Sequence, residues 1–461
     1  MNKQNDPINN ISLAGAVIVL SLILTLIAVS LIVFEAPPHI PILLAVMFLI
    51  GYGMWREVEW YRIQTGIVDG VRAGIIPILI FIFIGVLISV WISAGTIPTM
   101  IYYSFHMISL DFFLPSIFIV TAIVGVCIGS SLTTVSTIGV SFMALGGFMD
   151  MNPAVTAGAI VSGAMLGDKM SPLSDTTNLA SSVAKVDLFT HIRHMIWTAI
   201  PMAVITFIIY LVLGSGSSTG NGGLDKMMND LHDHFSVHPI SLLPALVIVI
   251  LAVKRIPAIP AMMGGIVSGF VVILITQPGY SVSDYMTFMQ DGFTSHTGNS
   301  DLDEMLTRGG IQEMMWPISL LILTLSMGGL LSTLGVINKI LSAAQELMNT
   351  TGKLVLSTVL AGIGINVTLG EQYMSVILPG EAFVDKYERM GLARENLSRT
   401  LENAGTLMNP LIPYGVCGVF MASVLDVDVF AYLPYAIFCL LGPVFALLYG
   451  FTGFTMKKNG E

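Results

Sequence analysis

Charged residues are scarce in this chain. Lys, Arg, Asp and Glu together make up 10% of the 461 residues, whereas hydrophobic residues make up 54%. Because soluble domains carry about 25% charged residues, this composition excludes an ordinary soluble enzyme and indicates a protein that lies in a lipid bilayer. The few Lys and Arg residues form no cluster of the kind that binds nucleic acid, so nucleic acid is not an expected partner.

Motifs for metal, disulfide and nucleotide chemistry are also lacking. The three cysteines, Cys127, Cys417 and Cys439, all lie in apolar segments, and their spacing fits neither a disulfide framework nor a zinc site. The phosphate-binding pattern GxxxxGKS/T is absent, so ATP use is not expected. An intramembrane protease with an Asp pair would carry Gly-x-Gly-Asp on one of two facing helices, and that pattern is missing too. The sequence therefore predicts neither an enzyme nor a bound cofactor.

Long apolar runs dominate the chain instead. About 20 apolar residues suffice for a helix that crosses a bilayer. The run 11–34 is too long for the core of a cleaved signal peptide and predicts an uncleaved spanning helix. Some interrupted runs fit re-entrant hairpins, so we expect about 11–14 spans. The predicted segments are 11–34, 40–54, 72–93, 112–128, 131–149, 153–183, 188–213, 238–253, 258–276, 313–334, 353–369, 371–390, 395–424 and 428–452.

The cationic residues predict the orientation of these segments. Loops on the cytoplasmic side of membrane proteins are enriched in Lys and Arg. With the N-terminus inside and each segment crossing in turn, all of the 19 Lys and Arg residues except Lys169, Lys226 and Arg308 fall inside. The sequence therefore predicts a multi-pass protein with both termini in the cytoplasm.

One short segment concentrates charge within an apolar region. Between 112 and 166 the only charged residue is Asp150, and then Asp168, Lys169 and Asp175 follow within eight positions. Each such residue costs about 2.5–3.5 kcal/mol at membrane depth. Ionisable residues in this position usually mark an ion or proton path, so we predict that the segment forms part of a transport site.

An internal repeat accompanies this charged segment. GDKMSPL at 167–173 matches GTLMNPL at 405–411 with an offset of 238 residues. The same offset sets Thr133 and Thr134 against Glu371 and Gln372. In the orientation predicted from charge, the two copies run in opposite directions. Inverted repeats with broken helices and a midplane site are the layout of many secondary transporters.

The predicted fold is therefore an all-α polytopic membrane protein. It has two inverted repeats of about five segments each, with broken helices or hairpins, and additional scaffold helices. The predicted parts are N-terminal scaffold helices at 1–69, a first repeat at 70–213, an external linker with connecting helices at 214–312, a second repeat at 313–453 and a cytoplasmic tail at 454–461.

A proline interrupts each copy of the repeat. Pro172 has no N–H, so the carbonyl of Asp168 is predicted to lose its helical donor, and Pro410 has the same effect on Thr406. Hard oxygen ligands of this kind suit Na⁺, and we predict a Na⁺ site at Asp168, Asp175, Thr406 and Asn409. The other predicted ion- or substrate-binding residues are Lys169, Ser171, Ser174, Thr176, Thr177, Asn178, Ser130, Ser131, Thr133, Thr134, Glu371 and Gln372.

Four segments resemble a known family. They are GTIPTMIYY at 95–103, GSSLTTVSTIGV at 129–140, GDKMSPLSDTTNLA at 167–180 and LSRTLENAGTLMNPLIPYGVCG at 397–418. Together they are similar to the NhaC-type sodium/proton antiporter family, and the resemblance runs from about Gly70 to Gly450. This chain departs from the family pattern at Asn403, where an acidic residue is expected, and at Leu132, where an aromatic residue is expected.

The resemblance implies a bacterial or archaeal plasma-membrane transporter of the ion-transporter superfamily. Members exchange Na⁺ for H⁺ by alternating access, and relatives often form dimers whose transport domain moves as an elevator. Some members couple this exchange to organic substrates, for example malate and lactate, or carry amino acids. The expected partners are therefore Na⁺, H⁺, a small organic anion or amino acid, the lipid bilayer and a second copy of the chain.

Simpler interpretations remain for several residues. Asp168 and Lys169 would form a structural ion pair only if the helix were broken there, because adjacent helical residues do not face each other. Asp175 is a candidate cap for the helix that follows it. Glu371 is a candidate for a hydrated loop edge. The run from Asp385 to Glu402 is predicted to be a solvated cytoplasmic helix.

Two other transport functions also fit the sequence. A sodium-coupled carrier of amino acids or carboxylates would use the same broken helices without moving protons. A channel is compatible with broken helices as well, but it would show unitary currents, whereas a site with alternating access gives saturable flux.

Overall fold

A computed structural model describes residues 11–107, 112–214, 231–254, 256–277, 279–299, 302–303, 306–346 and 348–459. These residues form helices without β-strands, which confirms the predicted all-α membrane fold. The predicted external linker lies largely outside the described residues.

The first half of the chain contains eleven described helices. They are α1 (Leu13–Ile32), α2 (His39–Trp55), α3 (Trp60–Ala73), α4 (Ile75–Ser93), α5 (Thr96–Met107), α6 (Phe113–Ile128), α7 (Ser131–Thr134), α8 (Val140–Phe148), α9 (Pro153–Met170), α10 (Asp175–Val183) and α11 (Leu188–Gly214). A π-helical turn, Val135–Gly139, joins α7 to α8.

The second half continues with a similar series. Its described helices are α12 (Leu243–Val253), α13 (Ala258–Thr276), α14 (Val282–Asp291), α15 (Gly310–Thr333), α16 (Val336–Glu346), α17 (Thr351–Leu369), α18 (Gln372–Arg389), α19 (Arg394–Ala404), α20 (Val416–Leu425), α21 (Val429–Tyr432) and α22 (Ile437–Thr452). A 3₁₀ helix, Thr406–Leu411, follows α19.

Among the described residues, six helices are long and apolar enough to cross a membrane. The number rises to eight when two bent pairs, 394–425 and 429–452, each count as one span. Four shorter apolar helices of 10–17 residues add to these. The predicted segments at 131–149 and 371–390 are among those that do not qualify as full spans. Each begins within two residues of a glycine in the left-handed conformation, Gly129 or Gly370, which ends the preceding helix.

The helix boundaries define the internal repeat, and they correct its predicted register. Ser130 and Glu371 each cap a helix that follows a left-handed glycine, and these two residues are 241 positions apart. Asp187 and Asp428, which each accept a hydrogen bond from the first turn of a helix, are also 241 positions apart. The predicted offset of 238 is therefore wrong. The structural equivalents of Glu371 and Gln372 are Ser130 and Ser131, not Thr133 and Thr134.

The same register matches the two helix breaks. Pro172 corresponds to Pro413, and Asp168 corresponds to Asn409 rather than to Thr406. In both copies the residue three positions later donates its N–H back to the carbonyl of the first: Ser171 to Asp168 at 3.1 Å and Ile412 to Asn409 at 3.1 Å. The local backbone is therefore repeated at the break even where the side chains differ.

Packing between the two copies is reciprocal. Helix α9 contacts α22, and its counterpart α19 contacts α11, which is the counterpart of α22. Helix α10 contacts α18, and its counterpart α20 contacts α8. This exchange of equivalent partners is what a two-fold axis between the copies produces. Residues beside the two breaks are thereby in contact, since Lys169 donates a hydrogen bond to Asn403.

Glycines permit the closest approach within the first copy. Helices α6 and α9 pack so tightly that a side chain at Gly163 would overlap Thr121 Oγ1 and the Phe118 carbonyl oxygen. Gly167 faces the Ala122 carbonyl in the same way. Small residues of this kind allow backbones to approach inside a membrane, where helices associate mainly through packing. The seam formed by these glycines fixes the end of α9 that carries Asp168.

Candidate functional site

The break after α9 is a hydrogen-bonded turn, not a region of free backbone. The Asp168 carbonyl accepts the N–H of Ser171 at 3.1 Å and the Thr177 hydroxyl at 3.5 Å. The prediction that Pro172 leaves this carbonyl free is therefore wrong, because the tighter turn supplies another donor. Helix α10 restarts at Asp175, and Ser174 rather than Asp175 is its cap, accepting the Thr177 N–H at 3.4 Å.

The Asp168 carboxylate lies at the N-terminus of α7. Its Oδ2 accepts the Ser131 N–H at 3.1 Å and the Ser131 hydroxyl at 2.7 Å. The side chain is buried, with 6% of the residue exposed. The N-terminus of a helix carries partial positive charge, which favours an ionised carboxylate. The N-terminus of α7 thus stabilises the negative charge of the buried Asp168 carboxylate on one side, and a cation can bind to it on another.

The equivalent position in the second copy is neutral. Asn409 Oδ1 accepts the Cys417 N–H at 2.7 Å, and its Nδ2 donates to Asn366 Oδ1 at 2.8 Å and to the Gly370 carbonyl at 3.3 Å. The amide therefore ties the second break to the end of α17. An Asp side chain could not make the two donor contacts, so Asn is the residue type that this arrangement requires.

We expect Asn409→Asp to destabilise the fold. The new carboxylate would face the oxygens of Asn366 and Gly370 without hydrogens to share, and a buried unsatisfied polar group costs about 1–3 kcal/mol or more when charged. The thermal unfolding midpoint of the purified protein in detergent should fall clearly below that of the parent. An unchanged midpoint would contradict the structural role assigned to this amide.

Glu371 is buried, which excludes the hydrated loop edge. Only 2% of the residue is exposed, and Oε2 accepts the Met374 N–H at 2.7 Å as the cap of α18. Gln372 Oε1 accepts the Cys417 thiol at 2.6 Å. Cys417 interacts electrostatically with both Asp168 and Glu371. One carboxylate from each copy, Asp168 at the N-terminus of α7 and Glu371 at that of α18, thus contributes to the electrostatic environment of Cys417.

A cavity of about 180 Å³ lies beside Glu371. Its lining combines apolar side chains with the polar groups of Asp69, Ser332 and Thr333 on the neighbouring helices α3 and α15. Asp69 is exposed, whereas Glu371 is buried. The cavity therefore brings this buried carboxylate and the exposed Asp69 into the lining of one space.

The remaining predicted residues divide into three groups. Asp175 and Asn178 are exposed, so the predicted burial of the Asp175 carboxylate is wrong; this residue occupies the outward side of the first turn of α10. Others make hydrogen bonds that complete local turns, and all of these except the half-buried Ser130 are buried. These turn-forming residues are Ser130, Thr133, Thr134, Ser171, Ser174, Thr176 and Thr177. Thr406 forms the third group, because its hydroxyl donates at 2.7 Å to Glu402 Oε2 instead of facing Asp168.

Lys169 faces away from Asp168 and meets two residues that the predicted site omitted. Its ammonium donates to Asn403 Oδ1, and the Glu402 carboxylate is its strongest charged neighbour. Lys169 is 1% exposed, and both Glu402 and Asn403 are 0% exposed. The mutual Asp168–Lys169 ion pair is therefore not formed.

The burial of Glu402 also corrects the predicted solvated helix from Asp385 to Glu402. Residues 396–404 are all buried, because α19 packs between α11, α17, α18 and α22. The available sequence signal was that Glu402 and Asn403 lie inside 397–418, one of the four segments that resemble the family, but it did not indicate the burial of Glu402.

Comparisons with known sequences identify a family and several proteins that are similar to this one. A family model described as "Na+/H+ antiporter family" matches residues 163–454. The Na(+)/H(+) antiporter NhaC of Alkalihalophilus pseudofirmus is 41% identical over 96% of each chain. The Na(+)/H(+) antiporter NhaC of Bacillus subtilis is 39% identical over 93% of this chain and 95% of its own. The malate-2H(+)/Na(+)-lactate antiporter of Bacillus subtilis is 33% identical over 95% of this chain and 94% of its own.

Proposed function

This chain belongs to the Na+/H+ antiporter family, and from that premise we propose that it exchanges Na⁺ for H⁺ across the plasma membrane. The observation that carries the proposal is the buried Asp168 carboxylate at the break after α9, held at the N-terminus of α7. Ionisable residues inside a membrane are expensive, and their retention is most simply explained by a transported ion.

The site offers Na⁺ the ligands that it prefers. Asp168 supplies a carboxylate, and Glu371 supplies a second one from the other copy; the cavity beside Glu371 is also lined by the exposed Asp69. Backbone carbonyls and hydroxyls at the two breaks add neutral oxygens. Hard cations bind oxygen ligands of this type, with carboxylates providing the charge. Asp175, Thr406 and Asn409, which we predicted as direct ligands, lie on the outer side of this group or bond to other partners.

The two copies of the repeat are proposed to act as inverted halves that alternate access to this site. The first half comprises about 70–213 and the second about 313–453, with both termini in the cytoplasm. Movement of one body against the other, as in an elevator within a homodimer, is the form that the family resemblance favours.

An organic anion is a second candidate substrate, because the malate-2H(+)/Na(+)-lactate antiporter is a relative. Binding an anion at the site would require an available cation. Within the described part of the site, the buried cation Lys169 already faces Asn403 and Glu402. The geometry therefore favours exchange of the two cations without an organic anion.

Reconstitution into liposomes tests the function directly. We expect a Na⁺ gradient to drive a change in internal pH that saturates with Na⁺, and we expect no stimulation by malate or lactate. A sodium-coupled carrier would instead take up an organic solute with Na⁺ and leave the internal pH unchanged. Unitary currents in a planar bilayer would indicate a channel and contradict the proposal.

A further inference from the structure

A second polar cluster lies on a different face of α9 from Asp168. It consists of Lys169, Glu402, Asn403 and Thr406, all at most 1% exposed. Thr406 donates to one oxygen of Glu402, and Lys169 donates to Asn403. The Na⁺ site proposed above uses none of these side chains. Four buried polar side chains with no assigned role therefore need an explanation.

The cluster contains polar atoms that have no partner. Among the described residues, Glu402 Oε1 and Asn403 Nδ2 are buried and make no hydrogen bond. Leaving such groups unsatisfied is costly, and native structures keep few of them. A carboxylate oxygen that lacks a donor is a natural place for a proton, because protonation turns it into a neutral group.

A third unpartnered atom lies on α11. His191 Nδ1 is 2.7 Å from the Ser398 hydroxyl, which itself donates to the Glu395 carbonyl at 3.1 Å. When the Ser398 hydroxyl donates to that carbonyl, His191 donates through Nδ1, and its buried Nε2, which has no partner, carries the lone pair. His191 and Lys169 interact electrostatically. The cluster thus has both an acid oxygen and a neighbouring group able to accept a proton.

We propose that Glu402, with Lys169 and Asn403 beside it, forms a proton-binding site separate from the cation site at Asp168. The inference rests on the proposed exchange of Na⁺ for H⁺ and names the residue that carries the proton. A proton from the cytoplasm or the exterior binds Glu402 Oε1 and gives the neutral acid, while Lys169 keeps its charge. Release of the same proton restores the carboxylate opposite the ammonium.

Charge accounts for the exchange. Ionised Asp168, Glu371 and Glu402 with Lys169 together carry a net charge of −2, and one Na⁺ at the cation site or one proton at Glu402 reduces it to −1. An uncompensated charge at membrane depth opposes crossing, so both loaded forms are favoured over the empty one. Glu402 and Asp168 interact electrostatically. Na⁺ at Asp168 therefore weakens proton binding at Glu402, and the proton weakens Na⁺ binding to the same degree.

The other charged or titratable groups that interact with the pair come from four helices. These are Arg399 on α19, His191 on α11, Cys439 on α22 and Asp168 on α9 itself. The Arg399 guanidinium donates to the Thr455 hydroxyl at 2.9 Å and lies over the Tyr449 ring. It therefore points toward the C-terminal segment of the chain. Glu402 is therefore the acidic partner of Lys169 on α19.

Na⁺ binding to the full-length protein, measured by calorimetry across a pH series, tests the proposal. Separate sites predict that apparent Na⁺ affinity falls as the pH drops and then levels off, with a total change of about 5–150-fold. A single shared carboxylate predicts a roughly tenfold fall per pH unit without a plateau. That second result would overturn the separate proton site and leave the proposed exchange intact. Absence of Na⁺ binding at every pH would contradict the exchange itself.

Glu402→Gln gives an independent test, because its amide imitates the protonated acid. This variant should bind Na⁺ at every pH with the affinity that the parent reaches on its low-pH plateau. It should also release no proton when Na⁺ is added to a weakly buffered solution. Glu395→Gln is the control at the N-terminal end of the same helix, where Glu395 pairs with Lys457 at 2.9 Å, and it should keep the pH profile of the parent. Retention of the full pH profile by Glu402→Gln would overturn the proposal.

Discussion

Asp168→Asn should reduce Na⁺-driven proton exchange in proteoliposomes to the level of protein-free vesicles. The substitution keeps the size of the side chain and removes the charge that a buried Na⁺ would need. The fold should survive, because an Asn occupies the equivalent position of the second copy, Asn409, within the same backbone turn. A dye that reports internal pH provides the measurement.

Two further substitutions test whether the loss of exchange is specific to the Asp168 carboxylate. Asp187 caps α11 outside the membrane segments, where the N–H and hydroxyl of Thr190 hold the pKa of Asp187 below its ordinary value. Asp187→Asn also removes one carboxylate, but at a position outside the proposed Na⁺ site. The rate of exchange should therefore stay near that of the parent. Asp175→Asn should have an intermediate effect because Asp175 is exposed. Wild-type exchange by Asp168→Asn would remove this residue from the mechanism.

Gly163→Ala should destabilise the protein more than any conservative change on its surface. The added methyl group would overlap Thr121 Oγ1 and the backbone oxygen of Phe118, so α6 and α9 would have to separate. Overpacking of a close interface costs about 1–3 kcal/mol and sometimes more. We expect a lower thermal unfolding midpoint in detergent and a loss of exchange, since the seam positions Asp168.

Gly364→Ala is the matched control for this change. It makes the same substitution inside a helix, α17, at a position where a new methyl group meets no atom within 4 Å. Replacing an unhindered helical Gly by Ala stabilises a helix by roughly 0.5–1 kcal/mol. The two variants should therefore shift the midpoint in opposite directions. Equal effects would show that the α6–α9 contact is looser than the structure indicates.

The membrane fold and the first helix break were predictable from local sequence. Three ionisable residues and Pro172 interrupt an apolar run. A functional site is the usual reason for ionisable residues at membrane depth. The repeat was also detectable, but its register was not. A shift of three residues is slightly less than one helical turn, so matching side chains stay on nearly the same face. Only the helix caps distinguish 241 from 238.

The role of Glu402 could not be read from the sequence. Helix α19 carries several charged and polar residues within eleven positions, which is the pattern of a hydrated helix. Its burial depends on neighbours from distant parts of the chain, chiefly α11, α17, α18 and α22. Likewise, nothing local indicates that Thr406 bonds to Glu402 while Asn409 takes the place of Asp168. These assignments require the tertiary contacts.

The replacement of Asp168 by Asn409 in the second copy has an energetic consequence for the transport cycle. In a transporter built from two identical inverted halves, exchanging the conformations of the halves converts the outward-facing state into the inward-facing state at no change in free energy. Here one half carries an ionisable side chain and the other a neutral amide at the same structural position. The two facing states are then unequal in energy, and the resting protein should favour one side of the membrane before any gradient acts.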